Sequence, residues 1–143
     1  MEIQIPEGVS TGELRLLPEG TARAMLDKIM IGQTMEGKPK ATFRYILTEE
    51  MANAEPGGEP TTGAFVLETM SLQPQALFAL AKTWKDATGE NLPQGDYDEA
   101  GFSELLNSTL TGTEWDLLLV QEIPKGQTEI RTVIKKKTIA KRN

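Results

Sequence analysis

The chain contains no cysteine and no histidine. Without cysteine there is no disulfide, no thiolate nucleophile and no cysteine-ligated zinc or iron–sulfur site. Without histidine there is no Ser-His-Asp triad and no histidine-containing metal triad, and the side chain best suited to proton transfer near neutral pH is missing. No glycine leads into a Gly-Lys-Ser or Gly-Lys-Thr run, which excludes a nucleotide-type phosphate loop. No apolar run approaches the length of a membrane span. Residues 1–8 carry neither a basic segment nor an apolar stretch, so they do not read as a signal peptide. These absences lead to three expectations: no enzyme activity and no cofactor, no membrane partner, and a cytoplasmic location.

Two acidic patterns come nearest to chemistry. Asp96-Tyr97-Asp98-Glu99-Ala100-Gly101 begins like a calcium loop, but its fifth position is Ala100 and its twelfth is Asn107 instead of a bidentate glutamate. A two-metal nuclease could in principle use Asp96, Asp98, Glu99 and Glu104. They lie on one connector with no lysine among them, so the stretch reads as an acidic loop.

What is present is a 143-residue chain with 38% hydrophobic and 25% charged residues, enough for one domain with one modest core. The net charge is −6, but the charge is segregated. Residues 49–68 hold Glu49, Glu50, Glu55, Glu59 and Glu68 with no base. Residues 86–104 hold six acids with no base. Residues 125–142 hold Lys125, Arg131, Lys135, Lys136, Lys137, Lys141 and Arg142 against Glu129 alone, a net +6. An acidic protein with such a stripe can still offer a basic face to a polyanion, although charges of both signs also serve simply to solvate a surface.

Residues 1–20 are punctuated by proline and glycine and read as an irregular lead-in. Residues 21–31 alternate as a half-buried strand, with Ala22, Ala24 and Leu26 on one face and Arg23, Met25 and Asp27 on the other. Residues 32–37 form a turn. Residues 38–48 alternate cleanly, with Ala41, Phe43, Tyr45 and Leu47 facing one way and Lys40, Thr42, Arg44 and Ile46 the other. Residues 49–62 read as a long, acidic, mobile loop, and residues 63–70 as a third strand.

Pro74 opens a helix whose apolar stripe is Leu77, Leu80, Ala81, Trp84 and Ala87, closed by Gly89. Residues 90–111 form a connector with a short helix pinned by Phe102, Leu105 and Leu106. A fourth strand from Gly112 or Thr113, a tight Pro124-Lys125-Gly126 turn and a fifth strand over residues 127–138 make the strongest hairpin signal. Residues 139–143 form a basic tail. Three strands, one helix and a final hairpin are the order of a five-stranded OB-fold-like barrel, mainly β and one domain over residues 1–143.

Such a barrel binds on its outer sheet face and flanking loops. Lys40 and Arg44 flank Thr42 on one strand face and could follow phosphates along an extended nucleic acid. Arg23 and Lys28 on the first strand, Lys38 in the turn and Lys125 at the hairpin tip add charge. Arg131, Lys135 and Lys137 share one face of the fifth strand by parity. Aromatic residues are only 6% of the chain. Phe43, Tyr45 and Trp84 fall on core faces, which leaves Trp115 and Phe65 as the stacking candidates.

Three segments carry a resemblance: Leu17-Pro18-Glu19-Gly20 through Gly37-Lys38-Pro39-Lys40-Ala41, the helix over residues 76–89 with Leu77, Leu80 and Gly89, and Leu110-Thr111-Gly112 before the lysine–glycine hairpin. Over residues 17–138 the chain resembles phage-encoded OB-fold single-stranded DNA-binding proteins. The resemblance implies non-sequence-specific binding of single-stranded DNA in phage replication or recombination. It implies contacts from Lys38, Lys40, Arg44, Arg131 and Lys135, replication or recombination proteins as partners, and the host-cell cytoplasm as location. Many such proteins end in an acidic tail that recruits partners, whereas this chain ends in Lys135 to Arg142, which is basic. Two alternatives stay open: a protein-interaction or virion-associated module on the same frame, and a metal-dependent enzyme at Asp96 or Asp98. Strand edges could also pair copies into a homo-oligomer, which nothing in the sequence selects.

Overall fold

A computed structural model describes residues 15–142. The reading of residues 1–14 as lead-in, and as something other than a signal peptide, lies outside the described residues. Five strands form one antiparallel sheet: β1 (Gly20–Gln33), β2 (Pro39–Leu47), β3 (Phe65–Ser71), β4 (Glu114–Glu122) and β5 (Arg131–Lys141). Two helices lie between β3 and β4: α1 (Phe78–Thr88), preceded by a 3-10 turn at Pro74–Ala76, and α2 (Glu99–Leu110). The sheet order is β3-β2-β1-β4-β5. It is an open sheet, with β3 and β5 as its two edges and no ladder joining them. The expected β-rich class holds, whereas the expected barrel closure is not seen.

The inner face of the sheet is set by alternation. On β2, Ala41, Phe43, Tyr45 and Leu47 are buried, and Lys40, Thr42, Arg44 and Ile46 face outward, half-exposed. On β1, Ala22, Ala24 and Leu26 are buried, then a bulge between Leu26 and Lys28 resets the period so that Ile29 returns inward. β1 pairs with β4 from Gly20 to Met25 and with β2 from Ala24 to Gln33, so the two ladders overlap at Ala24 and Met25. Trp115, Leu117 and Leu119 of β4 complete the inner face.

The helices cap this core. Leu80, Thr83, Trp84 and Ala87 of α1 are buried, and Gly89 ends the helix at φ 80°, donating to the Lys85 carbonyl. The segment opened by Pro74 first makes a 3-10 turn, and the α-helix begins only at Phe78. α2 is longer than the short helix expected in that connector. Asp98 caps it by accepting from the Gly101 N–H at 2.6 Å, and Leu106 and Leu110 are fully buried. The Asn107 side chain accepts from the Ile29 N–H and donates to the Ile29 carbonyl, both at 3.0 Å, fixing α2 to β1 just past the bulge.

Two loops depart from expectation. Residues 49–62, read as mobile, are tied internally. The Glu50 carboxylate accepts from the N–H groups of Thr61 and Thr62, and the buried Thr61 hydroxyl accepts from the Met51 N–H at 2.8 Å. Those backbone hydrogen bonds hold the Glu50 carboxyl below its usual range. The last hairpin is not tight. Gln127 N–H closes a turn on the Pro124 carbonyl, with Gly126 at φ 81°, but the ladder starts only at Glu122–Arg131. β5 therefore runs to Lys141 and takes in most of what reads as a basic tail.

Candidate nucleic-acid interface

Outward side chains of β1, β2 and β3 align in rows across the sheet. Lys28, Arg44 and Leu67 are in register, as are Met30, Thr42 and Thr69, and Gly32, Lys40 and Ser71. One face thus presents two lysines and an arginine among small polar and apolar groups. Arg44 is tied locally: its Nε donates to Asp27 Oδ2 at 2.9 Å, and its guanidinium carbon stands 4.7 Å from the centre of the Phe65 ring. The bulge in β1 sits beside Asp27, where this ion pair forms. Phe65 remains half-exposed at the rim of this face.

Next to that face, a groove of about 710 Å³ separates the free edges of β3 and β5. Phe65, Leu67 and Thr69 line one wall, and Ile130, Arg131 and Val133 the other. Pro124 and Gln127 come from the hairpin loop, and Arg15 and Leu16 also contribute. The structure thus gathers Phe65, Arg131 and, through its stack on Phe65, Arg44 around one cleft. Lys28 and Lys40 lie on the adjoining sheet face, and Lys125 on the same loop as Pro124 and Gln127. No ion pair joins Lys28, Lys40, Lys125, Arg131 or Lys135 to a described residue.

Other expected site residues are placed differently. Arg23 lies on the β1–β4 side of the sheet, where its Nε meets Asp116 Oδ1 at 2.7 Å; that hydrogen bond raises its already high pKa further. Lys38 pairs with Glu36 at 3.3 Å in the β1–β2 turn. Trp115, expected as a stacking ring, is fully buried and donates its indole N–H to the Thr113 hydroxyl at 2.9 Å. Its position in β4 is in phase with Leu117 and Leu119, which point into the core.

Lys137 is the larger correction. Parity puts it on one face with Arg131 and Lys135. The β4–β5 ladder, however, jumps from Leu119–Ile134 to Leu118–Lys136, so Lys135 is an extra, exposed residue in a bulge. Lys137 then pairs with Leu117 and turns inward, 11% exposed. Its ammonium binds the Glu68 carboxylate of β3 and donates to the Tyr45 hydroxyl at 3.3 Å. It stands 5.3 Å from the Trp115 ring centre, 5.6 Å from that of Phe43 and 5.9 Å from that of Tyr45. Tyr45 also donates to Glu68 at 2.9 Å. This network spans the gap between the two unpaired edges from within.

Burial, with Glu68 beside it, pushes the Tyr45 phenol well above its usual value. Burial lowers Lys137 below the usual lysine value, although Glu68 pulls the other way. The two shifts act on stability with opposite sign. Tyr45 contributes stability that is complete below about pH 10, where the unfolded phenol ionises, and that is lost as pH rises further. The cost of burying the Lys137 ammonium is instead relieved as pH rises towards the ordinary lysine value. Thermal melts between about pH 9 and about pH 11 should fall more steeply for the wild type than for Tyr45→Phe, which keeps Lys137. Parallel curves would remove Tyr45 from the balance.

Sequence reasoning missed Arg15, Leu16, Gln127 and Ile130. None has a periodic signal, because they reach the groove from irregular segments. Among the described residues no group of three or more acidic side chains is placed to hold a metal ion. No helix among them is long and apolar enough to cross a membrane. Neither a family model nor a curated protein sequence matches the chain.

Proposed function

We propose that the protein binds single-stranded DNA without sequence preference, on an OB-like frame, in phage DNA replication or recombination. The supporting observation is the cleft between β3 and β5, lined by Phe65 and Arg131 along with Glu68 and Glu129, beside a sheet face whose Lys28 and Lys40 have no ion pair among the described residues. A half-exposed ring offers a stacking platform on the side Arg44 leaves open, and unpaired cations offer phosphate contacts; single-strand binding combines the two. Arg44 keeps Phe65 in place and adds its charge at the same rim. With Lys137 and Trp115 turned inward, Arg23 paired with Asp116 and Lys38 with Glu36, the proposed site comprises Lys28, Lys40, Arg44, Phe65, Lys125, Arg131 and Lys135.

Titration with a fluorescent oligonucleotide at several salt concentrations tests this. With four or five phosphates neutralised, the slope of log affinity against log salt is expected near about −3 for a single strand. Lys40→Glu should weaken binding by roughly tenfold on every sequence alike and flatten the slope by about 0.7 for each phosphate no longer neutralised. Absence of binding at low salt would end the proposal.

The second reading, a protein-interaction or virion-associated module, draws on the same cleft. Its walls are unpaired strand edges, and Leu16 and Ile130 are exposed there at 46% each. Such edges accept an added strand from a partner. Recovery of one stable protein partner, indifferent to nuclease, together with no oligonucleotide binding, selects that reading.

A further inference from the structure

A second groove, of about 760 Å³, lies at the far end of the sheet from the loop that joins β4 to β5. Ile31, Leu72, Leu77 and Phe102 give it an apolar floor. Tyr97 leans on Phe102, with ring centres 5.4 Å apart, and remains 40% exposed. Asp96, Asp98 and Glu99 form its rim, and no lysine or arginine lines it. Asp98 uses one carboxylate oxygen to cap α2, while Asp96 and Glu99 have no ion pair among the described residues. The groove therefore suits an apolar side chain accompanied by a cation, and it repels a polyanion.

The same chain carries a surface of that description. On the outer face of β4 and β5, Leu118 is 39% exposed and sits in register between Thr21 and Lys136. Val120 continues the apolar strip. Lys136 is exposed and has no ion pair among the described residues. One surface is apolar with an acidic rim, the other apolar with a basic flank. Of the acidic stretch only Asp96, Asp98 and Glu99 reach the groove, and of the basic stretch Lys136 stands beside Leu118, so the complementarity rests on these few side chains.

We propose that the Tyr97–Phe102 groove docks the Leu118–Lys136 face of a second copy of this chain. Two different patches meet in such a contact, so each copy retains one free groove and one free face. The association is heterologous and open-ended, and adds copies as concentration rises. Its charged rim makes it weaken as salt rises. Neither Leu118 nor Lys136 belongs to the proposed DNA site.

Sedimentation velocity of the nucleic-acid-free protein tests this. At low salt, the average mass should rise with protein concentration and return to that of a monomer at high salt. Asp96→Lys with Glu99→Lys should weaken association by about tenfold or more, and so should Lys136→Glu, each with unchanged circular dichroism. The milder Asp96→Asn with Glu99→Gln should give an intermediate loss. An equimolar mixture of the two reversed proteins should associate again, because an intact face then meets an intact groove. A wild type that stays monomeric at every concentration overturns the proposal. So do reversed variants that associate like the wild type, or a mixture that stays monomeric. The assay contains no DNA, so its failure leaves the DNA-binding reading standing, and the reverse also holds.

Discussion

Lys137→Ala is expected to lower the free energy of unfolding by about 3 kcal/mol, because it leaves the Glu68 carboxylate without its cation, held by the Tyr45 hydroxyl alone. The value is at the lower end for a broken buried pair, since the Glu68 side chain keeps 23% of its surface exposed. Alanine also leaves a void beside Trp115, Phe43 and Tyr45, which adds to the loss. Replacing the whole network, Lys137→Met with Glu68→Leu and Tyr45→Phe, should recover most of the stability, because neither a buried charge nor an unpaired hydroxyl then remains. Urea unfolding with a common slope reads both effects as shifts of midpoint. Equal midpoints for Lys137→Ala and the wild type would show that the cross-sheet network does not hold β3 to β5. A further consequence bears on the cleft. The triple variant keeps stability without the hydrogen bonds that span the two edges, so a loss of oligonucleotide affinity there would assign the network to groove width.

Trp115→Ala and Phe65→Ala are expected to separate core from surface. Trp115 is fully buried, and its truncation should cost about 3–5 kcal/mol of stability, a large part of what a domain of this size possesses. Phe65 is half-exposed and packs on Arg44 from outside, so its truncation should leave the stability within about 1 kcal/mol of the wild type. On the proposed function, Phe65→Ala costs about 1–3 kcal/mol of oligonucleotide binding, the worth of one stacked base. Loss of stability without loss of binding for Phe65→Ala would remove the ring from the interface and make it a packing residue.

Much of the sheet is legible in the sequence because β2 obeys a strict period of two. Ala41, Phe43, Tyr45 and Leu47 can only share a face, and their bulk identifies it as the inner one. The stripe of α1 and its Gly89 stop are equally plain. Phase fails wherever the backbone gains a residue. The bulge at Lys135 reverses the side chains of β5 as far as Ile139, where a second shift restores the phase, which is how a lysine expected on the surface lies among three aromatic rings. The loop over residues 123–130 hides the true start of the hairpin, since its proline and glycine mark one turn and not the whole connection. Trp115 misleads for another reason. Its acidic neighbours Glu114 and Asp116 suggest exposure, yet in a strand they point away from it.

From the residues alone came the β-rich class, the helices between the third and fourth strands, the inward faces of the first two strands and the segregation of charge. All are local: they depend on propensity and on spacing of a few residues. The tertiary structure decided the sheet order, the free edges of β3 and β5, the cleft between them, the Lys137–Glu68–Tyr45 network and the pairing of Arg44 with Asp27 and Phe65. Those depend on register between strands far apart in sequence. Register is set by the sum of packing over the whole sheet, and one inserted residue changes it without leaving a mark in the composition.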